Sequence, residues 1–145
     1  MSDRDAIRAL IARQEAATRA GDAAGVVACL TDDAVGFDLP PPLVQPAAVM
    51  RDPAMLERWF ATWSEPPSIT TADVTIEVDG DLAAAFGLRR MAGTQGGEET
   101  VLWYRETLVL RRTAAGWRIR HSHASVPFAM DGSGKALLDL TPGEL

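Results

Sequence analysis

His121 and His123 are the only two histidines in the 145 residues, and they stand two apart in "RIRHSHASVPF". In a strand-like run that spacing puts both imidazoles on one side of a sheet, with Trp117, Ile119 and Ser125. Arg118, Arg120 and Ser122 then point the other way and read as the solvated face, so the histidine face is expected to be covered and concave. Imidazole titrates near neutrality, which suits general acid–base work. A structural pair bonded to backbone or carboxylates at the sheet end accounts for the spacing equally well. H-x-H can also hold two corners of a metal, but a catalytic zinc usually takes three protein ligands. The third would have to be Asp38, a glutamate or Cys29, and no metal is expected.

Asp38 is the carboxylate of interest. It follows a short apolar run in "GFDLPPP", between Phe37 and Leu39. Apolar surroundings push a carboxyl upward, toward the range of a general base; an aspartate that merely turns the chain before the prolines is the plainer alternative. Arg105 falls inside a strand-like run on the same side as Trp103, Thr107 and Val109, while Tyr104, Glu106, Leu108 and Leu110 take the other. A strand-interior arginine needs a partner, whether Asp38, a glutamate or an anionic group of a ligand. Gln14 lies on the apolar stripe of the first helix, as a stripe-edge residue or a pocket amide. Trp59 and Trp63, one helical turn apart, read as core or as the wall of a cavity.

The elements that would position these residues are legible from spacing. Residues 2–21 read as a helix capped by Ser2 or Asp3 and stopped by Gly21, with Ile7, Leu10 and Ile11 on one face. Asp22 caps a second, short helix, and Cys29 in "GVVACL" reads as a small core residue. A short strand then enters three prolines, which forbid continued helix or central strand. Asp52 and Pro53 open a third helix, "DPAMLERWFATW". Four strand-like runs follow, joined by "DGD", "QGGE" and "TAAG". Helices first and an antiparallel meander second is an α+β layout. With apolar residues on both strand faces, one face is expected to cover helices and the other a second subunit. The tail from 129 to 145 reads as a C-terminal extension of a single domain spanning 1–145, with "KALLDL" as a short amphipathic piece.

Bulk properties narrow the function. Hydrophobic residues make up 47% and charged residues 23% of the chain, and the net charge is −6, so the composition is that of a globular domain with no disordered signature. An acidic balance without a basic run argues against nucleic acid and anionic membrane surfaces as partners. A single cysteine, no apolar leader in "MSDRDAIRAL" and no long apolar stretch fit a cytoplasmic protein.

The segments "AGDAAGVVACLTDDAVGFDLP", "FDLPPPL", "YRETLVLRR" and "GWRIRHSHASVPF" together resemble the SnoaL-like and ketosteroid isomerase-like proteins of the nuclear transport factor 2-like fold, over roughly residues 4 to 128. The resemblance implies three N-terminal helices on a strongly curved, mostly antiparallel sheet, forming a cone with an internal pocket. Asp38 falls where the isomerase keeps its catalytic aspartate, and Gln14 where it keeps a tyrosine. The isomerase's protonated aspartate would fall between Arg105 and Thr107, where this chain has no aspartate. His121, His123 and Ser125 correspond to pocket-lining positions. The expectation is cofactor-independent proton transfer, elimination or hydrolysis on a small apolar carbonyl compound. Asp38 acts as base, and His121 and His123 act as partner acid or oxyanion donors. Gln14, Trp59, Trp63, Trp103, Arg105, Thr107 and Ser125 contact the ligand. A homodimer through the sheet is the expected assembly. The alternative is a non-catalytic ligand-binding or dimerisation domain of the same fold.

Overall fold

In the computed structural model, which describes residues 1–144, four helices cover one five-stranded sheet whose first strand lies between the second and third helices. Helix α1, Asp3–Arg19, is capped by Ser2, whose side chain accepts from the Asp5 N–H, and it ends at Gly21 with φ +68°. Its stripe of Ile7, Leu10 and Ile11 is buried against Ile76, Ala85, Leu108, Leu110, Trp117 and Ile119 of the sheet. Asp3, in the first turn, holds both terminal nitrogens of Arg112 at 2.8 Å and accepts from the Trp117 indole at 3.1 Å. The start of α1 is thus pinned to the far end of the sheet. Helix α2, Ala23–Val27, is capped by Asp22.

Strand β1, Leu30–Phe37, leads into the proline loop. A one-turn helix α3, Ala47–Met50, is one element more than the sequence pattern predicts. Helix α4, Pro53–Phe60, starts at the expected Asp52 cap and stops short of Trp63. The meander is β2, Ser68–Asp79, β3, Leu82–Gln95, β4, Glu98–Thr113, and β5, Gly116–Ser125. Sheet order is β1-β5-β4-β3-β2, antiparallel except that β1 runs parallel to β5. The expected α+β cone is the fold observed. The "KALLDL" stretch is not a helix: residues 127–137 fold back as a short bridge between Phe128 and Ala136. No helix among the described residues is long and apolar enough to cross a membrane.

Two bulges bend the antiparallel meander of this sheet, and the β1–β5 pairing is irregular between Leu30 and Val35. Each bulge places an extra residue on one strand, which increases local twist and curvature. On β2, Asp73 and Val74 together oppose Gly87, and Asp73 takes φ +52°, which a short polar residue tolerates. On β5, the pairing steps from Leu110↔Ile119 to Val109↔His121, so Arg120 has no partner across β4. A side-chain period of two means that this one residue reverses the faces beyond it. Trp117 and Ile119 face the helices, but His121, His123 and Ser125 face away from them. They share the outer side of the sheet with Val109, Thr107 and Arg105, and Ser122 and Ala124 turn inward instead. The expectation that Trp117, Ile119 and both histidines share one covered face is corrected by this bulge.

Gly87 makes the first bulge possible. A β-carbon there would stand 3.0 Å from the Ala72 carbonyl oxygen and 3.2 Å from the Val74 α-carbon, both backbone atoms. Gly87→Ala is therefore expected to cost about 1–3 kcal/mol, the usual penalty of overpacking a site that cannot yield. Urea denaturation measures it; an unchanged midpoint would mean that the bulge relaxes freely.

Candidate functional site

A cavity of about 430 Å³ opens between the helices and the inner face of the sheet. Its apolar wall comes from the α3–α4 region, with Met50, Met55, Leu56 and Trp59, and from the sheet, with Leu108 and Ile119. The prolines after β1 form the rim, because three consecutive prolines can neither continue a central strand nor run on as helix interior. Five polar side chains reach the cavity: Gln14, Asp38, Gln45, Glu106 and Ser122.

Asp38 and Glu106 occupy different environments. Asp38 is exposed at the rim, where its carboxylate accepts from the Leu39 N–H at 2.7 Å; it is not enclosed by apolar side chains as its sequence neighbours suggest. Glu106 lies at the buried end, with its side chain 15% exposed. Arg89 of β3, 6% exposed, donates to Glu106 at 2.5 Å and stands 3.8 Å from Glu15 of α1, which also accepts from Thr71 at 2.7 Å. The Arg89 Nε is buried without a partner among the described residues. Burial pushes the Glu106 carboxyl upward, Arg89 pulls it back, and the nearby Asp38 and Glu15 charges reinforce the rise; the net direction is up. Burial likewise drives the Tyr104 phenol upward, against Arg89, its cross-strand neighbour.

Of the residues selected from sequence, Asp38, Gln14 and Trp59 line the cavity. Trp63 is buried behind Trp59, edge-on at 5.8 Å, and packs on Gly93 rather than on the cavity. His121, His123, Trp103, Arg105, Thr107 and Ser125 all sit on the outer face. His121 Nδ1 donates to the Val35 carbonyl at 2.6 Å and its ring meets Phe37 edge-on at 4.6 Å. His123 is exposed, 5.3 Å from the same Phe37 ring. It shares a shallow outer depression with Asp38 and the proline loop, so Asp38 and Pro40 to Pro42 together form the wall between the two spaces. Arg105 finds its partner in the Ser125 hydroxyl at 3.1 Å. No three His, Cys, Asp or Glu side chains converge as a metal site would require among the described residues. Residue type alone does not single out Glu106, Arg89, Glu15 and Ser122. The available signal was Glu106 on a stripe with Tyr104, Leu108 and Leu110, an acid in an apolar row that demands a counter-charge.

The domain family described as SnoaL-like matches residues 7–129. The chain belongs to the SnoaL-like domain family. Its 34%-identical relative of known structure, a nuclear transport factor 2-like protein of unknown function from Pseudomonas putida, is covered over 94% of both chains with a TM-score of 0.80. This SnoaL-like domain also resembles a protein with a cystatin-like fold from Novosphingobium aromaticivorans, at 24% identity over 90% of this chain and 84% of that one, with a TM-score of 0.70. A ketosteroid isomerase-like protein from Erwinia carotovora matches at 22% identity over 83% of this chain and 93% of that one, with a TM-score of 0.68. The latter two likenesses speak to the fold alone. No match was found among curated proteins.

Removing Arg89 tests the buried cluster of this SnoaL-like domain. Arg89→Met leaves two carboxyls with no counter-charge, and breaking a buried pair costs about 3–5 kcal/mol. Without Arg89, burial acts on Glu106 unopposed, so its folded-state affinity for a proton rises further above the unfolded value. A carboxyl raised in the folded state contributes its stability below the unfolded pKa and loses it as pH rises through the folded one. The destabilisation of Arg89→Met is therefore expected to be larger at neutral pH than near the ordinary glutamate pKa. Urea denaturation at the two pH values decides it, and equal losses would contradict the assignment.

Proposed function

We propose that this SnoaL-like domain binds a small, largely apolar carbonyl compound in the inner cavity and catalyses cofactor-independent proton transfer on it, by isomerisation, elimination or hydrolysis. One observation carries the reading: a single cavity has a carboxyl at its exposed end, Asp38, and another at its buried end, Glu106, with an apolar wall between them. Two carboxyls in contrasting environments can divide the roles of base and acid. Asp38, at the rim, takes the proton or activates water. Glu106, whose burial favours the protonated form, serves as the acid toward a developing oxyanion, with Gln14 as a second donor. Leu56, Trp59 and the two methionines hold the apolar body of the ligand. The histidines of β5, on the outer face, are assigned no part in this chemistry. A working place in the cytoplasm fits the single buried thiol, Cys29.

The non-catalytic alternative is favoured by one contact: the bond from Arg89 holds Glu106 at 2.5 Å, and a carboxyl so occupied is a weaker proton donor. On that reading the cavity binds and releases its ligand unchanged. The outer face, where Phe37, Phe86 and Val101 remain 38%, 43% and 52% exposed, is proposed as the contact with a second copy of the chain.

Turnover of a panel of uncharged ketones and enones, with binding followed by Trp59 fluorescence, separates the readings. Asp38→Asn is expected to lower turnover by about 10²–10⁴-fold, the usual worth of a positioned base, while affinity changes little. Glu106→Gln lowers turnover as well. If no compound turns over but several quench Trp59 in the wild type and not in Trp59→Phe, the domain is a binder.

A further inference from the structure

We propose a second binding site, for a phosphate-class oxyanion, in the arginine-lined depression at the β1 edge of the sheet, apart from the inner cavity. The depression holds about 500 Å³ and is lined by Arg51, Arg111 and Arg118 together with Thr31, Asp32 and Asp33. Arg111 and Arg118 are directly opposed across β4 and β5. Like charges so placed destabilise a sheet unless something neutralises them.

The neutralising groups within the protein are already engaged. Asp33 accepts from Thr31 at 2.8 Å and lies 3.3 Å from Arg111 and 3.2 Å from Arg120. Among the described residues Asp32 reaches only Arg51, at 3.6 Å, with its side chain fully exposed. Arg51 spends further donors on the Leu30 and Thr31 carbonyls. Arg118 stands apart from all of these. It is half-buried, gives one N–H to its own Trp117 carbonyl at 2.7 Å, and has no carboxylate within ion-pair distance among the described residues. A guanidinium carries five donors in a planar fork, so most of Arg118's remain available at the mouth of the depression. Counting Arg120, four arginines meet two aspartates there, a surplus of two positive charges on a chain of net charge −6.

The shape of the donor set selects the ligand. Two neighbouring guanidiniums present forks that match a tetrahedral oxyanion bidentately. A dianion supplies the two missing negative charges; the Thr31 and Thr113 hydroxyls border the same space but already donate to Asp33 and to the Gly116 carbonyl, so recognition rests on the guanidiniums. Free phosphate and the phosphate group of a larger molecule share this chemistry.

The test is calorimetric titration of the full chain at low salt with inorganic phosphate and, separately, with phenyl phosphate. Saturable binding is expected. It should weaken about tenfold or more in Arg118→Ala and in Arg111→Ala, fall with added salt, and persist in Arg13→Ala, an exposed arginine of α1 whose loss changes the net charge equally. Unchanged circular dichroism would show that the variants are folded. Binding of both compounds assigns the site to the free anion, and binding of phenyl phosphate alone assigns it to a phosphate carried by a larger molecule. Absence of saturable binding, binding that survives Arg118→Ala, or equal loss in Arg13→Ala would overturn the proposal.

Discussion

Arg120 is one residue more than the ladder between β4 and β5 can pair, and the strand absorbs it as a bulge. Every side chain of β5 beyond that point changes face. Before the bulge, Trp117 and Ile119 close the core under α1; after it, Ser122 and Ala124 continue the inner surface with small side chains. Small residues at the end of a bending strand leave room that Leu108, Ile119 and the α3–α4 segment then enclose as a cavity. The same step sends His121 and His123 to the outer face, where Phe37 of β1 packs between them. Cavity and outer surface are two consequences of one extra residue.

Within the cavity, electrostatics rather than shape distinguishes the two ends. The apolar core fixes β3 and β4 side by side, and their register brings Arg89 beside Tyr104 and Glu106. α1 crosses this region to deliver Glu15 and Gln14 from one helical turn. The cluster sits where water is scarce, so each charge depends on its neighbours, and the carboxyl facing the cavity is displaced toward its protonated form. Asp38 belongs to a different regime: its position is set by the proline rim and its carboxylate meets solvent. The contrast between the ends follows from one being held by the sheet and the other by a loop.

Much of this was legible in the residues, and the failures have identifiable causes. Helix caps at Ser2, Asp22 and Asp52, the turns between strands and the α+β order follow from local chemistry, and all appear as expected. Strict alternation through "WRIRHSHAS" does not reveal the bulge. Its trace is present: the apolar phase runs on odd positions at Trp117 and Ile119 and on an even one at Ala124, a change that alternation alone cannot produce. The pairing of Arg89 with Glu106 is invisible until two strands are placed in register. Each sits on a row of alternating apolar residues, which marks it as buried, but nothing in the order of residues names its partner. Asp38 was placed at the cavity through family resemblance, and its exposure follows from the loop that carries it.

The central claim is that the ligand space lies under the helices, on the side of the sheet opposite both histidines. Nuclear magnetic resonance of labelled methionine methyls and histidine imidazoles can follow both sides in one titration with an uncharged bicyclic ketone. Met50 and Met55 line the cavity, while Met1 and Met130 are exposed elsewhere. The predicted result is saturable movement of the Met50 and Met55 methyls, with the His121 and His123 signals unchanged. Movement of the imidazoles with still methyls at Met50 and Met55 would place the ligand on the outer face and contradict the account.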